Sequence, residues 1–360
     1  MRQMTKAEIP TPALLVDLDI MEANIAKMAG HLRAAGKGFR PHAKTHKTPE
    51  IARACVAAGA VGTCTAKLSE AEAMASAGLH GLLITTAMIG DWRIRRAVAL
   101  GARNSDTIFS ADDSGNLRAL NEAAAAAGVT LNIAIDLLVG ARTGVEPGAA
   151  AVALAEQIDR ASHLRLSGIQ AFAGPCAHTE GFEARRKATV EWMGRAVETR
   201  RMIAAKGIAC DWLSGGSTGT YNIDSTIEGV TEVQPGSFLF MDVDYARIHT
   251  DFGFSLTVLS TVYSKPSKAV AIIDAGFKAF STDRPFGPLL KGGEAPYSWA
   301  GDEHGRLDLA KATLSIELGD RLEFFVPHCD PTVNLYNEIY ATRGEMVEAV
   351  WKIAARGLSQ

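Results

Sequence analysis

Several features are missing from this sequence. No apolar run approaches the roughly 18 uncharged residues that a membrane-crossing helix needs, and residues 1–10 (MRQMTKAEIP) hold no apolar stretch of the kind that opens a secretory signal. Neither sign of charge is in excess. Lys and Arg number 37 against 40 Asp and Glu, a formal charge of −3, and this argues against a nucleic-acid binder, whose domains run basic. The five cysteines (Cys55, Cys64, Cys176, Cys210, Cys329) form no CxxC pair, so they read as reduced thiols of a cytoplasmic protein. Apolar content is not missing. At 47% hydrophobic and 21% charged over 360 residues, the chain can bury a large core and reads as a soluble, cytoplasmic enzyme.

The order of segments sets the expected fold. Short apolar runs at 13–17, 38–41, 62–65, 81–85, 107–110, 131–135, 165–171 and 210–214 alternate with longer, Ala-rich runs. A ninth apolar run follows at 236–241. Helical runs are expected at 18–35, 48–58, 69–77, 92–100, 112–127, 148–160 and 183–206. Such alternation implies βαβ units and a parallel sheet, and about eight units in about 240 residues fit a (β/α)8 TIM-like barrel. A doubly wound open sheet is the runner-up. From about residue 253 the long helical runs stop, and 256–263, 268–273, 313–316 and 320–326 read as strands. The expected division is a barrel over 13–252 and a C-terminal, mainly antiparallel β domain over 253–360, joined by residues 1–12.

Three clusters carry possible chemistry. Arg40-Pro41-His42-Ala43-Lys44-Thr45-His46-Lys47 closes the second expected strand, at the end where barrel enzymes place their sites. A lysine crowded by other cations loses its proton more readily and becomes a competent amine nucleophile; a solvated basic turn is the plain alternative. The loop Ser214-Gly215-Gly216-Ser217-Thr218-Gly219-Thr220 offers hydroxyls and unobstructed backbone N–H groups that suit a phosphate, although most such loops are only turns. Gln234-Pro235-Gly236-Ser237 follows it, and barrels commonly hold phosphate on the loops of their last two strands. In Pro327-His328-Cys329-Asp330-Pro331-Thr332, His328 and Asp330 alternate by two. On an extended segment both would face one way and Cys329 the other. One imidazole and one carboxylate suit a divalent cation with open positions left for substrate, while an isolated His-x-Asp is more often a turn. Arg142, Asp302-Glu303-His304-Gly305, His178, Tyr245 and Asp242 are further polar candidates near strand ends or in turns.

Taken together, these clusters resemble the metal-activated D-threonine aldolase and D-serine dehydratase group of fold type III pyridoxal-phosphate enzymes, whose barrel is that of alanine racemase. The resemblance also runs through Thr11-Pro12-Ala13-Leu14-Leu15-Val16-Asp17-Leu18-Asp19, Gly168-Ile169-Gln170-Ala171-Phe172 and Ile273-Asp274-Ala275-Gly276. It implies that Lys44 forms the Schiff base with pyridoxal 5'-phosphate and that Arg142 faces the phenolic oxygen. Ser217, Thr218, Gly219, Gly236 and Ser237 would hold the phosphate, with Gln170 and Tyr245 also on the cofactor. His328 and Asp330 would hold a divalent metal, Mn²⁺ first among Mn²⁺, Mg²⁺, Co²⁺ and Zn²⁺. The implied reaction cleaves a D-β-hydroxy-α-amino acid to glycine and an aldehyde, and metal-bound hydroxide, His46 or His304 is the expected base. Its alternatives are a D-serine or 3-hydroxyaspartate dehydratase giving 2-oxo acid and ammonia, and a β-hydroxyaspartate aldolase giving glycine and glyoxylate. Asp330 favours an aldolase, since the dehydratases carry Cys there; Phe172 stands where relatives often carry Tyr. Small relatives that bind the cofactor without robust catalysis lack the C-terminal domain that is present here. The resemblance further implies a homodimer, while the charge balance and the short apolar runs argue against a nucleic-acid or membrane partner.

Overall fold

The computed structural model describes residues 4–140 and 142–360, which divide into two compact units. Among the described residues no helix is long and apolar enough to cross a membrane.

One unit comprises residues 27–44, 51–236 and 358–360. Its strands are Gly38–Phe39, Thr63–Thr65, Leu82–Ile84, Ile108–Ala111, Leu131–Asp136, Leu164–Ala171, Trp212–Gly215 and Glu232–Val233. From Thr63–Thr65 onward each pairs in parallel with the next, and the last returns to the first in the register Gly38↔Glu232. A parallel bridge from His42 to Cys64 closes the cylinder. Helices between the strands follow the expected runs closely, for local reasons. Ser114–Ala127 starts where the Asp113 carboxylate accepts from Asn116 N at 2.8 Å. It buries Leu117, Leu120 and Ala124 on one face and stops at Gly128, whose φ of 66° is left-handed. Where strands crowd, only glycine fits. A Cβ on Gly62 (φ 153°) would lie 2.0 Å from the Gly81 carbonyl oxygen.

The barrel interior combines apolar and polar contacts. Cys64, Leu83 and Ala134 cluster with Ile108 and Trp212, and a fully buried leucine contributes about 1.5–3 kcal/mol. Beside them Arg40 grips Glu232 with two bonds of 2.8 and 2.9 Å. Glu232 also accepts from Ser214 Oγ at 2.6 Å and Trp212 Nε1 at 3.1 Å, so this buried carboxylate is well satisfied. Arg40, counted in the basic cluster from sequence, is thereby an architectural residue.

The other unit holds the residues up to Ala26, Thr45–Glu50 and Ser237–Gly357. Its nine-stranded sheet runs Tyr297–Trp299, Gly305–Asp308, Val270–Ile273, Leu256–Ser267, Ala13–Asp17, Glu338–Arg343, Met346–Lys352, and Arg321–Phe325 joins Leu256–Ser267 to Leu289–Leu290. Ala13–Asp17, expected to open the barrel, lies here instead, antiparallel to Leu256–Leu259 and parallel to Tyr340–Thr342. Its run of buried side chains is that of any strand covered on both faces, which sequence cannot assign to one sheet or another. The apolar run 236–241 is no strand. Ser237–Leu239 is a 3-10 turn, and Phe240 O accepts from Ser255 N, so residues expected with the barrel are tied into this unit. Residues 313–316 form no strand. The hairpin Glu338–Arg343/Met346–Lys352, turning at Gly344 with φ 52°, was not anticipated.

Candidate active site

The barrel unit gathers its candidates at the C-terminal ends of its strands. Lys44 is half-buried just beyond the His42–Cys64 bridge, its backbone N donating to His42 Nδ1 at 3.4 Å. Arg142, on the loop after Leu131–Asp136, places its guanidinium 5.2 Å from the Phe172 ring centroid. With Gly140, Gly174, Pro175 and His178 these two line a cleft of about 300 Å³. Below it Asp136 accepts from the Thr143 hydroxyl at 2.9 Å, and burial pushes its carboxyl up to about 7. Gln170 is buried and accepts from Gln234 Nε2 at 2.5 Å.

The glycine loop is buried from Leu213 to Thr220. Ser217 Oγ lies 3.0 Å from Thr220 Oγ1, and Thr218 Oγ1 accepts from Gly236 N at 3.3 Å, which joins the two turns expected to share a phosphate. Gly219 packs so closely that a Cβ would lie 2.0 Å from the Ala177 carbonyl oxygen. Gly216, with φ 74°, backs onto Asp224, whose carboxyl burial raises to about 7. An unfolded aspartate ionises near 4, so Asp224 lowers stability progressively as pH rises from about 4 to about 7 and adds nothing further above that. Asp224→Asn should therefore raise Tm at pH 8 more than at pH 5, with Asp136 leaving a residual slope in the same direction. Parallel melting profiles for wild type and variant would overturn this.

The sheet unit assembles a second group. His46 is completely buried, its Nδ1 accepts from Thr48 N at 3.1 Å, and burial pushes its pKa down to about 4. The neutral ring therefore carries its proton on Nε2, an atom that is buried without a partner. A ring with Nδ1 occupied and Nε2 protonated donates a hydrogen bond from Nε2, which counts against the base role expected of it. The charge of Asp330 reaches both His46 and Tyr245. Tyr245 is buried, and desolvation, then Asp242, Asp330 and Cys329, hold its hydroxyl protonated, with a bond to Ser237 pulling the other way. Asp242 caps Val243–Ala246 by accepting from Tyr245 N at 2.8 Å and also accepts from Cys329 N at 2.9 Å.

His328 and Asp330 do not lie on an extended segment. His328 is the N-cap of the short helix Cys329–Val333, and Asp330 sits in its first turn with Pro331 after it. Cys329 is still buried while both neighbours are partly exposed, the division expected but from a helical start. Among the described residues no three His, Cys, Asp or Glu side chains gather to cage a metal, so a cation here would keep open positions. His304 is exposed between Tyr297–Trp299 and Gly305–Asp308, with its ring 5.5 Å from Tyr263. Two described residues other than glycine have positive φ, Lys47 (52°) and Met241 (51°), the immediate neighbours of His46 and Asp242. Backbone strain of this kind concentrates at functional sites. Sequence reading missed Asp283, which pairs with His328; a lone carboxylate in a polar turn gives no signal.

A closed parallel barrel with a lysine, an arginine and a buried hydroxyl–glycine loop at one end is a barrel enzyme of cofactor-holding type. Residues 16–244 match the model of the alanine racemase N-terminal domain family and residues 255–342 that of the putative serine dehydratase domain. The chain belongs to the alanine racemase-like family and, within it, to the D-threonine aldolase and D-serine dehydratase group. It is 35% identical to a D-threonine aldolase of Arthrobacter sp and 34% identical to a 3-hydroxy-D-aspartate aldolase of Paracoccus denitrificans, each over 98% of this chain and 94% of the relative. The crystal structure of D-threonine aldolase from Filomicrobium marinum matches at a TM-score of 0.93 and 33% identity over 100% of both chains. D-threo-3-hydroxyaspartate dehydratase from Delftia sp. HT23 matches at 0.87 and 29% identity over 97% of this chain and 99% of that one.

Proposed function

We propose that this protein is a pyridoxal-phosphate- and divalent-metal-dependent aldolase that cleaves D-β-hydroxy-α-amino acids to glycine and an aldehyde. The observation that carries the reading is the barrel end, where one amine, one guanidinium and a buried loop of hydroxyls and glycines follow the C-terminal ends of three strands, Gly38–Phe39, Leu131–Asp136 and Trp212–Gly215, of one barrel. That set fits an aldehyde, a phenolic oxygen and a phosphate. Bound there, pyridoxal phosphate supplies an electron sink for a bond at the amino acid's Cα. Lys44 Nζ would hold the aldehyde carbon and carry a proton. Arg142 would place positive charge at the phenolic oxygen, and Ser217, Thr218, Gly219, Gly236 and Ser237 would bind the phosphate through hydroxyl and N–H groups. Gln170 would hold its orientation through Gln234.

In the sheet unit the donor set fits a divalent cation. Asp242 and Asp330 crowd negative charge around the Tyr245 hydroxyl, and a cation offsets that charge. His328 and Asp330 would hold it, with Mn²⁺ as the first choice, and its chemistry is to polarise a substrate hydroxyl. His46 would donate from Nε2–H and orient an oxygen. Asp330 in place of cysteine supports the aldolase over the dehydratase. The five free, buried cysteines support a reducing compartment, and we place the protein in the cytoplasm as a homodimer. Incubation with D-threonine, D-3-hydroxyaspartate and D-serine, with and without chelator, is the test. Glycine plus acetaldehyde or glyoxylate, lost on chelation, is the expected result; 2-oxo acid plus ammonia as the main products would overturn the reading.

A further inference from the structure

His328 is gripped by the turn that carries Ser281 and Asp283. Its Nδ1 lies 2.7 Å from Asp283 Oδ2. Its backbone N donates to Ser281 Oγ, and that hydroxyl faces the His328 carbonyl, both at 3.1 Å. Ser281 N donates at 3.1 Å to Thr332 Oγ1, which itself bonds the His328 carbonyl at 2.7 Å. The carboxylate of Asp283 has its own support. Arg284 lies 3.7 Å from Asp283 Oδ2 through one terminal nitrogen, while its Nε sits 2.8 Å from Asp244. We propose that Asp283 is a positioning residue for a metal ligand: by accepting from His328 Nδ1–H it fixes the tautomer and rotation of the ring and leaves Nε2 as the lone pair offered to a divalent cation.

The argument needs only the donor inventory of the two groups. A carboxylate accepts and cannot donate, so the single N–H of a neutral imidazole facing Asp283 sits on Nδ1. Nε2 is then unprotonated, the form that ligates a metal. Carboxylate partners of this kind hold metal-bound histidines in many sites, and their loss typically weakens metal affinity about 10–100-fold. A purely structural ion pair predicts otherwise. The Asp283 side chain is 42% exposed, so the pair adds little to fold stability, and its removal should leave Tm nearly unchanged while metal binding suffers.

This inference rests on the metal reading above, and the test separates the two. Mn²⁺ binding is measured by calorimetric titration of the full-length protein and by the paramagnetic signal of the free ion. Wild type is compared with Asp283→Asn, Asp283→Ala, Asp283→Glu and His328→Ala at one pH, each with its Tm. Asp283→Asn should bind Mn²⁺ about 10-fold more weakly and Asp283→Ala nearer 100-fold, Asp283→Glu should recover part of the loss, and Tm should hold. Should both Asp283→Asn and Asp283→Ala bind within twofold of wild type while His328→Ala has lost the ion, the positioning role is wrong and the metal site stands. Should His328→Ala bind as tightly as wild type, the metal reading falls and this inference with it.

Discussion

Replacing Lys44 with alanine leaves a folded chain that retains no pyridoxyl group after borohydride reduction and turns over its D-β-hydroxy amino acid at least about 10³-fold more slowly. Fold survival is expected because Lys44 is only half-buried, and such substitutions usually change stability by no more than about 0.5 kcal/mol. The size of the rate loss reflects the two duties proposed for one atom: Nζ would hold the aldehyde carbon and would also carry a proton. The Ser217–Gly219 loop proposed to hold the phosphate is untouched by the substitution, so the variant should still bind the cofactor noncovalently and release it on dialysis. The competing lysine is Lys47, three residues on. It is buried and held at φ 52°, with its carbonyl accepting from Ala355 N at 3.0 Å, so its backbone is committed to another segment. Peptide mapping after reduction decides between them: an adduct on Lys47 in either wild type or variant would overturn the assignment.

Most barrel strands were legible as apolar runs followed by a helical run, as at Leu82–Ile84 before Asp91–Arg103, although Ala13–Asp17 gives the same signal and belongs to the other sheet. The last strand was not. Glu232–Val233 is two residues long, and Glu232 points its charge at Arg40, so the position carries the opposite of an apolar signal. The hairpin ending in Met346–Lys352 was visible in principle, since Ile339 and Ala341 alternate into the core and Gly344 marks the turn, but its exposed charges hid the pattern. Clusters compact in sequence, around Lys44, Ser217 and His328, stood out because several chemistry-bearing residues fall within one turn of chain. Asp283 lies 45 residues from His328, and nothing local distinguishes it from other turn carboxylates. The tautomer of His46 was equally out of reach. It depends on a backbone N–H two residues on and on complete burial, neither of which residue type encodes.

Replacing His328 with alanine should abolish the response to chelator and leave a residual activity about 10³-fold below wild type, since a Lewis acid on a reacting oxygen is worth several kcal/mol and about 1.4 kcal/mol is one decade of rate. The backbone at this position has its own anchors, His328 N to Ser281 Oγ and the His328 carbonyl to Thr332, so removing the ring should leave the helix start in place. Asp283 keeps its neighbour Arg284, and its exposure lets water take over the lost bond. What remains is Asp330 as a single carboxylate, too few donors to retain a cation against water. Borohydride trapping on Lys44 should be as complete as in wild type, and this separates loss of the cation from loss of the cofactor. Asp330→Cys is the complementary change: it keeps two donors but softens one, so the metal profile should move toward Zn²⁺ while His328→Ala has no profile at all. Full activity in His328→Ala with unchanged chelator sensitivity would place the cation elsewhere.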